Sequence, residues 1–247
     1  MWGAGNYAAV AEKIGRAGEL VVERAGVEPG MDVLDVACGT GNASIPAARI
    51  GARVTGLDFA PRLLEIARER CADAMVEIDF VEGDAQDMPF DDASFDRVVS
   101  AFGHMFAPDH ERTAAEMRRM LRDGGAIAFA AWTPDGAMGR LVDAVATVVP
   151  PAPGATPPLL WGTEQHVRDL LGDADFARHE IVWEDESVES YARFMLDNFG
   201  PLLNARELLG EREDELENAY VEYLERENQN DDGTLRFGGE FLVAVVR

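Results

Sequence analysis

Along the 247-residue chain, apolar residues fall into short blocks whose period switches between that of a helix and that of a strand. Val10, Ile14, Ala17, Leu20, Val21 and Ala25 recur at helical spacing and predict one helix over 7–25. A Pro29-Gly30 turn leads into an apolar strand at 31–37. Residues 42–50 read as a helix that carries Pro46 in its first turns, where proline is tolerated. A second strand is expected at 53–57. Pro61 then opens a helix with Leu63, Leu64, Ile66 and Ala67 on its apolar face. Third and fourth strands are expected at 76–82 and 96–101. A helix over 111–122 stops at Asp123-Gly124-Gly125, and a fifth strand follows at 126–132. Strands and helices alternating through short connections predict a parallel sheet with helices on both faces.

Beyond Trp132 the rhythm changes. Residues 150–158 are rich in proline and read as an irregular connector, followed by a short helix at 164–171. Two more strands are expected at 181–186 and 240–246. The segment between them has a mostly helical pattern and is very acidic over 211–227. It is too long for a loop in a compact sheet, which predicts a helical cap over the carboxyl ends of the strands, inserted before the last strand.

The chemistry concentrates where strands end. Val33-Leu34-Asp35-Val36-Ala37-Cys38-Gly39-Thr40-Gly41-Asn42 is an apolar strand running through a glycine turn into a helix. Such a turn lets a ligand approach the backbone and presents free N–H groups at the helix start. Asp58 ends the second strand about 20 residues beyond Asp35, where a carboxylate can hold a ribose diol. Gly83-Asp84-Ala85 follows the third strand, and Ser100-Ala101 closes the fourth. Four strand ends thus supply polar or glycine residues to the edge at which open α/β sheets bind ligands.

The runs VLDVACGTGN, GLDFAP, VEGDAQDMPF, FDRVVSAFGHMF and LRDGGAIAFAAW, in this order, resemble the class I S-adenosylmethionine-dependent methyltransferases, in particular the ubiquinone/menaquinone biosynthesis group. The resemblance implies a Rossmann-like, seven-stranded, mostly parallel α/β sheet and S-adenosylmethionine as cofactor. It implies Asp35, Ala37, Gly39 and Gly41 at the methionine end, Asp58 on the ribose and Phe59 beside the adenine. Asp84 and Ala85 would read the adenine edge, with Ser100, Ala101 and Phe102 near the methyl group. Ala37 stands where the family has its first turn glycine. Trp2 and Tyr7 resemble a segment that folds over the cofactor in some relatives; the alternative is a frayed end with two aromatics. The chain then divides into an N-terminal helical lid (1–30), a cofactor-binding core (31–135) and a part that completes the sheet and caps it (136–247), within one domain.

Methyl transfer needs a nucleophile aligned behind the sulfonium and, for a neutral acceptor, a base. His104, just after the fourth strand, is the candidate base; the alternative is a histidine of the pocket wall. His110 fits a helix start, and His166 and His179 have no supporting context. Met105, Phe106, Trp161, Phe194 and Phe199, with Phe102, are candidates for an apolar acceptor pocket, against the alternative of plain core packing.

Charge narrows the acceptor. Asp and Glu number 46 against 22 Lys and Arg, a formal net charge of −24. That field repels phosphate backbones and anionic membranes, so a small molecule is expected rather than nucleic acid, with no membrane insertion. Lys13 is the sole lysine. A salty cytoplasm and a high-GC genome account equally for this composition. No apolar run has the roughly 18 residues needed to span a bilayer, and no secretory signal opens the chain, so a cytoplasmic monomer or homodimer is expected. The two cysteines, Cys38 and Cys71, make neither a disulfide framework nor a metal site. Four other readings compete. An arsenic methyltransferase would need several cysteines, and only Cys71 lies outside the glycine turn. A nicotinamide-dependent oxidoreductase would carry G-x-G-x-x-G, which this turn lacks. A nucleic-acid methyltransferase would carry an Asn/Asp-Pro-Pro-aromatic run where Ser100-Ala101-Phe102-Gly103 stands. An inactive methyltransferase-like binding subunit would keep the fold without the reaction.

Overall fold

The computed structural model describes residues 5–152 and 154–247. The inner strands are β1 (Asp32–Val36), β2 (Arg53–Asp58), β4 (Phe95–Ala101) and β5 (Leu121–Trp132), whose apolar stretches lack helical spacing. With β3 (Asp79–Glu82), β6 (Ala174–Asp185) and β7 (Leu235–Val246) they form one seven-stranded sheet in the order β3-β2-β1-β4-β5-β7-β6. The first five strands are parallel, whereas β7 runs antiparallel to both β5 and β6. Val33, Leu34, Val36, Val98, Val99 and Ile127 through Ala131 are buried, as expected of inner strands covered on both faces.

The chain leaves β1 toward β2 and β3, then crosses back to β4 on the other side of β1. Neighbouring connections diverge there, which opens a crevice at the carboxyl ends of β1 and β4. Helices α2 (Gly15–Ala25), α3 (Ser44–Ile50), α4 (Pro61–Ala74), α5 (His110–Met120) and α7 (Glu164–Leu171) accompany the sheet. Helices α1 (Tyr7–Lys13), α6 (Ala137–Ala146), α8 (Val188–Asn198), α9 (Gly200–Leu209) and α10 (Glu213–Glu227) form the cap. Among the described residues no helix is long and apolar enough to cross a membrane.

Four local expectations are corrected, and one helix is new. The helix expected over 111–122 ends at Met120, and Asp123, Gly124 and Gly125, expected as its stop, lie inside β5. The helix over 7–25 is two helices, because Ile14 leaves helical geometry (φ −111°, ψ 7°) and its N–H turns back to Ala11 O at 3.2 Å. The third strand is shorter than 76–82, since only Asp79–Glu82 reach a partner on this edge. Strands β6 and β7 pair from Ala174 with Val246 to Asp185 with Leu235, well beyond the short segments expected. Exposed Asp175, Arg178 and Glu180 on β6 had masked that strand's length. Helix α6, on the connector side of Trp132, was not expected at all.

Candidate active site

At the end of β1 the backbone turns sharply. Ala37 has φ 52°, Gly39 55° and Gly41 87°. A left-handed conformation costs an alanine about 1–2 kcal/mol, so the turn holds strain that glycine would not. One strand away, Phe102 is also left-handed at φ 67° and lies flat on Trp132, ring centroids 4.1 Å apart. Between the two, Gly103 approaches so closely that a Cβ there would stand 2.1 Å from Ala37 O. The ends of β1 and β4 are thus locked backbone to backbone.

Asp58 closes β2 and is 5% exposed. Its Oδ2 accepts from Gly39 N at 2.8 Å and its Oδ1 from Ala60 N at 2.9 Å. Burial raises its pKa above the ordinary carboxylate value against those two hydrogen bonds. Asp35 lies deeper. Its Oδ2 accepts from Ser44 Oγ at 2.5 Å, while its Oδ1 has no partner among the described residues. Burial pushes its pKa up to about 7. Asp84 Oδ1 accepts from Gln86 N at 2.9 Å.

These strand ends wall a cavity of about 270 Å³. Ala37, Gly39, Asp58, Phe59, Asp84, Ala85, Ala101 and Phe102 line it, and Tyr7 covers it from α1. Burial, then the charge of Asp58, pushes the Tyr7 hydroxyl up to about 12. Asp35, Gly41 and Ser100 stand behind the wall; Ser100 Oγ donates to Val36 O at 2.6 Å. Trp2 lies outside the described residues.

A second cavity, about 320 Å³, lies under the cap and is lined almost wholly by apolar and aromatic groups. Tyr7, Ile14, Phe102 and Phe106 line both cavities. Phe199 lines the second one from the start of α9, and Phe194 packs near the Lys13 ammonium, 5.0 Å from its ring centre.

His104, Met105, Trp161 and Phe194 do not line either cavity. Gly103–Phe106 form a 3₁₀ turn, in which residues three apart share a face. Gly103 and Phe106 therefore look into the cavity, while His104 and Met105 turn into the core. His104 is fully buried against Phe129 and Trp161, and neither ring nitrogen has a partner among the described residues. Burial, then His110, pushes its pKa down to about 3. The expectation of a base at His104 is corrected on this geometry: the ring has no path to an acceptor. His110 Nδ1 and His166 Nε2 share a hydrogen bond of 2.9 Å in the same cluster.

The burial of His104 has a measurable consequence. Its folded pKa lies below the unfolded value near 6.5, so its contribution to stability is present above pH 6.5 and is lost as pH falls toward 3. At pH 5 that loss is about 2 kcal/mol. Denaturant melts of the wild type and His104→Leu should show the variant gaining about this much, relative to wild type, between pH 7.5 and 5. A difference independent of pH would mean that the ring is open to water.

Several supporting residues escaped the sequence reading. Arg70 Nη1 donates to Thr40 O and Thr40 Oγ1, both at 2.7 Å, and to Asn42 Oδ1 at 3.0 Å. Asn42 Nδ2 in turn donates to Ala11 O at 2.8 Å, tying the lid helix α1 to the glycine turn. A Cβ on Gly18 would stand 2.1 Å from Asn42 O, so α2 can reach the turn only through a glycine.

Comparison with known proteins gives this site a family. A model of the methyltransferase domain matches residues 33–125. An uncharacterized protein of Mycobacterium tuberculosis is 38% identical over 218 residues, covering 85% of this chain and 80% of that protein. The demethylmenaquinone methyltransferase of Staphylococcus aureus is 41% identical over 110 residues, 43% of this chain and 45% of that enzyme. The YcgJ protein of Bacillus subtilis shares the fold, with a TM-score of 0.63 at 16% identity over 94% of this chain and 98% of its own. The chain belongs to the class I S-adenosylmethionine-dependent methyltransferases and is an enzyme of methyl transfer. The similarity to the mycobacterial protein spans most of this chain, whereas that to the demethylmenaquinone methyltransferase spans less than half of it.

Proposed function

We propose that the protein transfers a methyl group from S-adenosylmethionine to a small organic acceptor held in the apolar cavity beneath the cap. The observation that carries this reading is the shared wall: Tyr7, Ile14, Phe102 and Phe106 border both cavities, so a donor in one can meet an acceptor in the other. The residues of the first cavity fit the donor. Asp58 retains acceptor capacity for a ribose diol, the Gly39 turn carries no Cβ contact that would fill the crevice, and the orphaned Asp35 Oδ1 lies just behind it.

S-adenosylmethionine supplies a methyl group already activated on a sulfonium. The protein's own contribution is to bind and exclude water. Asp58 would hold the ribose, Asp84 and Ala85 the adenine edge, and Phe59 the adenine face. Ala37, Gly39 and Gly41 would give the methionine end a close backbone, with Asp35 beneath them, and Ser100, Ala101 and Phe102 would back the methyl group. Tyr7 and the rest of α1 cover the junction, and Phe102, stacked on Trp132, fixes the side from which an acceptor approaches. Among the described residues the junction carries no histidine or carboxylate, which favours an acceptor that is nucleophilic without a protein base.

Labelled methyl transfer to a panel of phenols, carboxylic acids, amines and quinols, run beside tRNA and duplex DNA, tests the acceptor class. Label is expected in the organic-extractable fraction. Label confined to nucleic acid would contradict the proposal.

A further inference from the structure

The acceptor cavity carries the opposite charge to the surface. In a chain of net charge −24, no Asp or Glu among the described residues lines it, and the one charged group among them is Lys13, the only lysine of the sequence. Lys13 is half-buried at the end of α1. Arginines elsewhere pair widely with carboxylates, but Lys13 has no ion pair or hydrogen bond among the described residues. Its ammonium instead stands 5.0 Å from the ring centre of Phe194 and 5.7 Å from that of Tyr191. Tyr223 also lines the cavity, and its buried hydroxyl has no partner among the described residues either.

A cation that keeps only ring faces for company, in a protein with abundant carboxylates, is available for an anion from outside. The walls select what that anion is attached to. Trp132, Trp183, Phe199 and Phe237 present flat apolar surface, which rewards an apolar or aromatic body, and among the described residues the wall offers a phosphate chain no second cation beyond Lys13.

We infer that the cavity takes an organic acid: a molecule with an apolar, preferably aromatic body and one anionic group paired with Lys13. This deepens the proposed function and rests on it for the role of the acid as acceptor, but the recognition itself can be tested without any methyl donor. An anion here would also complement the positive sulfonium across the shared wall.

The probe is 2-naphthoate, compared with its neutral analogue 2-naphthamide, with binding followed by calorimetry on the full chain. Wild type is expected to bind the carboxylate at least tenfold more tightly than the amide. Lys13→Gln should lose that preference, and Lys13→Arg should keep it. Equal affinity for the amide in all three proteins shows that the cavity is intact. Three outcomes would overturn the inference: equal binding of acid and amide by wild type, a preference that survives in Lys13→Gln, or binding of neither probe at millimolar concentration. Titration with S-adenosylhomocysteine separates the two claims. If the acid binds through Lys13 and S-adenosylhomocysteine does not bind, methyl transfer fails and this inference stands. If S-adenosylhomocysteine binds without any acid preference, only this inference falls.

Discussion

Asp58→Ala is expected to weaken S-adenosylhomocysteine binding by about 100-fold while leaving the fold intact. The carboxylate sits at the tip of β2, 5% exposed, with one lone pair of each oxygen committed to Gly39 N and Ala60 N. Its remaining capacity faces the cavity. A hydrogen bond to a charged group contributes about 1.5–3 kcal/mol, so losing the ribose pair removes about 3 kcal/mol even when water compensates in part. The variant also frees Gly39 N, which loosens the turn that receives the methionine end. Asp58→Asn keeps one acceptor oxygen and should fall between the two. Calorimetric titration checks the series; affinities within threefold of wild type would place the ribose elsewhere.

Asp35→Asn is expected to separate stability from binding. Burial raises the Asp35 pKa to about 7 in the folded chain, from the ordinary carboxylate value of 3.8. A carboxyl group raised in this way favours the folded state below pH 3.8, and that contribution is lost as pH climbs through 7. Across this window the shift corresponds to about 4 kcal/mol. The asparagine does not titrate, so its stability relative to wild type should improve by about that amount between pH 4 and pH 8. The same substitution should weaken cofactor binding at pH 8, because it removes the charge beneath the glycine turn. Denaturant melts at both pH values, with a titration at pH 8, check the pair of effects. A stability difference that stays flat with pH would show that Asp35 ionises normally.

Both predictions concern residues that were legible in the sequence, and the reason is local. Asp35 and Asp58 end apolar strands at a fixed separation, and that pattern survives folding because strands β1 and β2 pair directly. The inner strands were legible for the same reason, being buried on both faces and so uniformly apolar. Edge elements were not. Strand β6 carries charge on its open side, and the break at Ile14 hides in an apolar residue at perfect helical spacing. The error at His104 is of another kind. Sequence places a residue after a strand end but does not give the direction of its side chain. The left-handed Phe102 and the 3₁₀ turn after it decide that Phe106 faces the cavity and His104 the core. Arg70, Gly18 and the charge inversion around Lys13 depend on contacts between distant segments, which no local pattern announces.

Calorimetric titration of the full chain with S-adenosylmethionine, beside an identical titration with NAD, tests the central claim most directly. The account predicts saturable binding of one S-adenosylmethionine per chain, sharply weakened in Asp58→Ala, and no heat from NAD. Binding of NAD with none of S-adenosylmethionine would contradict it.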